Sequence, residues 1–140
     1  GQVVVQTTDP EHYAIHFAVE HDYEGFYQQE LQFREELGYP PAGYLAALKI
    51  SATSEGTLAR EVQLIAELLR DIKQKIGLRT EILGPAQAPL YRLQGRFRYQ
   101  ILLKDRSRPR LHQLIKAYRQ ERVPKAGIRE RVDIDPLDLL

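Results

Sequence analysis

The chain has no cysteine, no methionine and no tryptophan. Without cysteine there is no disulfide framework, no thiolate nucleophile and no cysteine-based zinc site. No stretch of about 18 uncharged apolar residues occurs, so no membrane-spanning helix is expected. The opening GQVVVQTTDP has neither the basic region nor the apolar core of a signal peptide. These absences predict a soluble, cytoplasmic chain. A glycine-rich phosphate loop, a nucleophile elbow and a Ser/His/Asp grouping are missing too, which argues against an autonomous enzyme. What is present is a globular composition, 43% apolar with 9 Gly and 8 Pro in 140 residues. That is enough for one ordinary domain plus an appendage.

The net charge of +1 hides an uneven distribution. Residues 1–40 hold eight acids against a single base, Arg34, whereas residues 79–131 hold fourteen bases against four acids. A local basic excess of this size attracts a polyanion, an acidic peptide or the chain's own acidic part. The β-branched opening run, with no earlier strand to pair with, reads as part of something longer.

Residues 2–7 read as a strand ended by Asp9-Pro10, and residues 11–37 as two helices divided near His21-Asp22, with Asp22 as a cap. Gly38 and Pro40-Pro41 stop the second helix, and the boundary between segments 1–40 and 41–140 is placed there. From Tyr44 onward Ala46, Leu48 and Ile50 alternate with Ala47, Lys49 and Ser51, the pattern of a half-buried strand. Ser54 is positioned to cap a helix whose Leu58, Val62, Ile65, Leu69, Ile72 and Ile76 recur at helical spacing up to Gly77. Residues 81–83 predict a short strand, residues 84–94 a long Pro-bounded loop, and residues 96–104 a second strand. Ser107 is expected to cap another helix, and residues 128–134 form a last strand. The order βαββαβ predicts an α+β, ferredoxin-like split sheet with both helices on one face. Parity then puts Lys49, Arg96, Arg98, Gln100, Arg129, Arg131, Asp133 and Asp135 on the open face, and Phe97 and Tyr99 against the core.

Arg96, Arg98, Arg129 and Arg131, with Gln100, are candidates for phosphate contacts, because guanidinium groups bind phosphate through paired donors. Their bland alternative is a solvated strand face. Arg92 and Tyr91 in the expected loop are candidates for phosphate contact and base stacking. Lys104, Arg106, Arg108 and Arg110 surround a helix start, where free N–H groups also favour an anion. His12 and His16 share a helical spacing that metals use, without a third ligand at a diagnostic distance. Asp133 and Asp135 are expected to pair with nearby arginines rather than to bind magnesium. No metal site and no cofactor are expected in this chain.

Several stretches resemble the primosomal protein N′ family, the PriA replication-restart DNA helicases. They are Gln6-Thr7 with Pro10-Glu11-His12, the helix from Asp22-Tyr23-Glu24 to Leu37-Gly38-Tyr39-Pro40-Pro41, and Leu83-Gly84-Pro85-Ala86. To these are added Gly95-Arg96-Phe97-Arg98-Tyr99-Gln100-Ile101-Leu102-Leu103-Lys104 and Asp133-Ile134-Asp135-Pro136. The resemblance implies that residues 1–40 are the tail of a second helicase lobe and residues 41–140 a C-terminal domain. It further implies that the ATP, magnesium and zinc sites of an ATP-dependent 3′ to 5′ helicase lie upstream. Implied partners are forked and single-stranded DNA, the acidic tail of single-stranded DNA-binding protein, and the other helicase domains. Arg108 aligns with the family's tail-docking arginine, with His112 one turn later where relatives carry Gln. The implied partner group is therefore Lys104, Arg108, Arg110 and His112. Ala42-Gly43-Tyr44 departs from the bulky aromatic that relatives carry after the Pro-Pro step.

Overall fold

The computed structural model describes residues 1–136. Two helices come first, α1 (Tyr13–Val19) and α2 (Tyr23–Leu37). Asp22 caps α2 by accepting the Gly25 N–H at 2.8 Å, and Gly38 ends it in the left-handed conformation at φ 65°. Residues 2–7 form no strand and are exposed, contrary to the reading of their β-branched run. Nothing pairs with them among the described residues, and a lone strand has no hydrogen-bond partner to hold it extended.

The remaining elements are β1 (Tyr44–Ala52), α3 (Glu55–Lys75), β2 (Glu81–Leu93), β3 (Arg96–Asp105), α4 (Arg108–Glu121) and β4 (Arg129–Ile134). All four strands pair antiparallel in the order β2-β3-β1-β4, the expected split arrangement. Alternate residues of β1 (Ala46, Leu48, Ile50 and Ala52) join Ile101 and Leu103 of β3 in the core. Helix α3 covers them with Leu58, Val62, Ile65, Leu69 and Ile72, and α4 with Leu111, Leu114, Ile115 and Tyr118. Truncating one of the buried leucines or isoleucines to Ala would cost about 2–5 kcal/mol through lost transfer energy and the cavity left behind. Phe97 and Tyr99 pack against this core, as their parity predicts.

The expected loop over residues 84–94 is a continuation of β2, which pairs with β3 through register shifts between Leu83 and Ala86 and between Gln87 and Arg92. Pro85 and Pro89 are tolerated because β2 is an edge strand, where a missing N–H need not break a ladder. Gly84 permits the first shift: its φ is 97°, and a Cβ there would stand 3.1 Å from the Gln100 carbonyl oxygen. Ser107 occupies the N-cap of α4 without a side-chain cap bond. The Asp105 carboxylate accepts the Ser107 N–H at 2.8 Å and so fixes the turn that leads into the helix.

A buried ionic network ties the helix layer to β4. Glu61, almost fully buried, accepts from Arg122 Nη2 at 2.9 Å and Lys125 Nζ at 2.7 Å. Arg122 also pairs with Glu130 at 2.6 Å, and Glu130 receives the Tyr118 hydroxyl. The Lys125 hydrogen bond holds the Glu61 carboxyl below its ordinary value against the opposing effect of burial, and Arg122 adds to it. Each of these charges has a partner, which is the condition under which burial is tolerated.

Candidate functional site

Strand pairing arranges the open face in rows. Ser51 lies between Arg98 and Arg129, and Lys49 between Gln100 and Arg131. Neighbouring strands are about 4.8 Å apart, and same-face residues along one strand about 6.6 Å apart. Lys49, Ser51, Arg98, Arg129 and Arg131, with Ile50 and Glu130, line a groove of about 590 Å³. Arg129 and Arg131 are exposed, and their side chains make no hydrogen bond or ion pair among the described residues. Arg98 makes one long hydrogen bond, 3.4 Å, to the Leu90 carbonyl. Lys49 lies 3.5 Å from Asp133.

The other candidates on this face are differently employed. Arg96 is bound into the fold: its Nε donates to Ser51 Oγ at 3.2 Å, and its Nη2 to the carbonyls of Ser51 at 2.9 Å and Gly127 at 3.1 Å. Gln100 is 9% exposed, and its Oε1 is buried without a donor among the described residues. Arg92 pairs across with Phe97 and lies 5.3 Å over its ring, on the helix side of the hairpin. Tyr91 packs against Phe97 and Tyr99 and donates to Glu55 at 2.7 Å, a bond that raises its own pKa. Asp133 and Asp135 do not pair with arginines, as the sequence suggested. Asp133 turns to Lys49, and Asp135 Oδ1 accepts the Leu45 N–H at 3.2 Å.

The cations around the start of α4 divide into two sets. Lys104 donates to the Leu37 carbonyl at 2.8 Å, pairs with Glu81 at 3.1 Å and lies 5.0 Å over the Tyr39 ring. Arg110 turns onto Asp105 through both Nε and Nη2. Burial pushes the Asp105 carboxyl up, but hydrogen bonds from Arg110, Thr80 and Ser107 outweigh it and hold the group below its ordinary value. These two cations are saturated by the fold. The side chains of Arg108 and His112 make no hydrogen bond or ion pair among the described residues. His112 borders a groove of about 400 Å³ with Ile115 and Ile134, rimmed by Lys116 and Arg119. Lys116 and Arg119 were not singled out from the sequence, although their four- and seven-residue spacing from His112 places all three along one helix side.

Toward the end of β3 that leads into α4, the rows beyond the arginine groove carry the acids Asp133, Glu81 and Asp135. Among the described residues no group of three or more His, Asp or Glu is arranged to hold a metal ion. His12 caps α1 through Nδ1, and His16 lies 3.4 Å from Glu11. No helix of the described residues is long and apolar enough to cross a membrane.

A four-stranded split sheet with one face under two helices, and cations gathered on the other, defines an α+β module of the ferredoxin-like class with an open face. Residues 35–137 match the model of the primosomal protein N C-terminal domain, and the chain belongs to that family. It is similar to the replication restart protein PriA of Bacillus subtilis, 36% identical over 140 residues that cover 97% of this chain and 17% of that protein. The PriA of a Synechocystis species is 36% identical over 139 residues (99% of this chain, 16% of that protein). That of Haemophilus influenzae is 33% identical over 140 residues (99% and 19%). The chain spans less than a fifth of the length of these relatives.

Proposed function

We propose that this chain is a nucleic-acid-binding domain of a replication restart protein and holds DNA, forked or single-stranded, mainly by its phosphates. The observation that carries this reading is the open-face groove, in which Arg129 and Arg131 have no partner among the described residues and Arg98 has one long bond. The open-face positions of the two central strands offer no aromatic ring: Ala47, Lys49 and Ser51 face Leu102, Gln100 and Arg98. Modules that read single-stranded bases place stacking aromatics on such a sheet. Without them, affinity rests on charge, and it falls steeply with salt as phosphates are neutralised and counterions released. Fluorescence anisotropy with forked DNA across a salt series is the test. A flat response sinks the reading.

In this reading residues 1–40 belong to a neighbouring helicase lobe. ATP hydrolysis, magnesium and zinc belong to the remainder of a longer cytoplasmic protein, and this chain contributes binding, without a cofactor of its own.

A second site is favoured by the groove on α4. An apolar floor of Ile115 and Ile134 under His112, Lys116 and Arg119, one turn from Arg108, suits an acidic peptide that ends in an apolar side chain. We assign this groove to the acidic tail of single-stranded DNA-binding protein. Arg108→Ala and Lys116→Ala should each weaken binding of that peptide, and retention of full affinity by both excludes the assignment.

A further inference from the structure

We propose that the tip of the β2–β3 hairpin is a wedge for the end of a DNA duplex, with Leu93 entering beside the last base pair where the two strands separate. The proposal rests on the phosphate-binding reading of the arginine groove and extends it from backbone to base.

The tip is built to be stiff. Gln94 and Gly95 both take positive φ, 50° and 74°, the two-residue geometry that follows the natural twist of a hairpin. Arg96 fixes one strand of the tip to β1 and to the carbonyl of Gly127. On the helix side Tyr91 wedges against Phe97 and Tyr99 at 5.5 and 5.7 Å and is tied to Glu55 at the start of α3. A braced tip keeps its shape when it meets a stacked base, whereas a loose loop would yield.

The tip also presents an apolar side chain in an unusual setting. Leu93 is 45% exposed, and its pairing with Arg96 places it on the open face. A single exposed leucine needs no explanation by itself. This one pairs across with Arg96, two residues along β3 from Arg98, which lines the arginine groove and has Arg129 across β1 from it. Phosphates held in the groove would leave the attached bases facing the hairpin tip. Side chains such as leucine enter base steps and unstack them when cations hold the adjoining backbone. A docked protein strand would instead need apolar cross-strand neighbours, and the residue that Leu93 faces across the hairpin is Arg96.

The test uses the 140-residue chain and forked DNA carrying 2-aminopurine in the last base pair of the duplex. Binding is expected to raise the 2-aminopurine fluorescence, while the same label in the duplex interior stays dark. Leu93→Ser should abolish the rise and weaken fork binding about fivefold, with blunt duplex binding and its salt dependence unchanged. Leu93→Phe, which keeps an apolar tip, should retain the rise. Salt-dependent fork binding without brightening, or brightening undiminished in Leu93→Ser, overturns the wedge alone. Absence of any DNA binding overturns the phosphate reading and the wedge with it.

Discussion

The ammonium group of Lys104, on β3, donates to the carbonyl of Leu37 at 2.8 Å, so a strand of the sheet caps the C-terminus of α2. Helix C-termini carry unsatisfied carbonyls and partial negative charge, and a cation placed there satisfies both. The Tyr39 ring beneath the same ammonium group adds to the anchor. Lys104→Met should therefore release α2 while leaving the sheet intact. Amide hydrogen exchange over residues 23–37 is expected to accelerate about tenfold, with strand amides unaffected. Equal acceleration in both regions would make Lys104 a general stability residue.

Arg122 satisfies two carboxylates at once, Glu61 on α3 and Glu130 on β4. Its removal leaves Glu61 with only Lys125, in a site where the Glu61 side chain is 3% exposed. Breaking such a pair from one side costs about 3 kcal/mol, because the surviving charge stays buried. Urea unfolding of Arg122→Ala should show that loss as a lower midpoint at unchanged slope.

Acid sensitivity follows from the same network together with Asp105. Hydrogen bonds from Lys125 and Arg122 lower the Glu61 pKa below its ordinary 4.5, and those to Asp105 lower its pKa below 3.8 despite burial. Both groups therefore contribute stability that is fully present above those ordinary values. It is lost as pH falls through the lowered folded values. The melting temperature should hold from neutral pH down to about 5 and then decline. Glu61→Gln should begin less stable at neutral pH and decline less steeply. An equally steep fall in that variant would assign the acid sensitivity elsewhere.

The sheet and both covering helices were legible because their signals are local and redundant. Ala46, Leu48 and Ile50 repeat at two, and Leu58, Val62, Ile65, Leu69 and Ile72 at helical spacing, and each set lies on the buried side. The second half of β2 was not legible, since Gly84, Pro85 and Pro89 punctuate it as they would a loop. Only its position at the sheet edge makes that chemistry compatible with a strand. Parity identified the open face but not the occupation of its side chains. Arg96 and Arg98 are indistinguishable by alternation, yet the Ser51 and Gly127 carbonyls engage one and leave the other nearly free. Lys104 and Arg110 likewise read as an anion site until the Leu37 carbonyl and Asp105 are brought to them. Leu93 carried no signal, because its meaning depends on the register that sets it opposite Arg96.

That difference between arginines gives the sharpest test of the groove. Arg129 and Arg131 hold nothing in place among the described residues, so replacing both with Ala should leave the melting temperature unchanged. If each neutralises one phosphate, the slope of log affinity against log salt should become shallower by about 1.4 for single-stranded DNA or 1.8 for duplex. Arg96→Ala should do the reverse. Its loss leaves the Ser51 and Gly127 carbonyls without their donor and should lower stability by about 1–2 kcal/mol, while the salt slope measured well below the melting temperature is retained. A variant of Arg129 and Arg131 that unfolds early, or an Arg96 variant that loses salt dependence without losing stability, would invert the assignment. The phosphate contacts would then move to the hairpin end of the face, and Arg129 and Arg131 would become supports for β4.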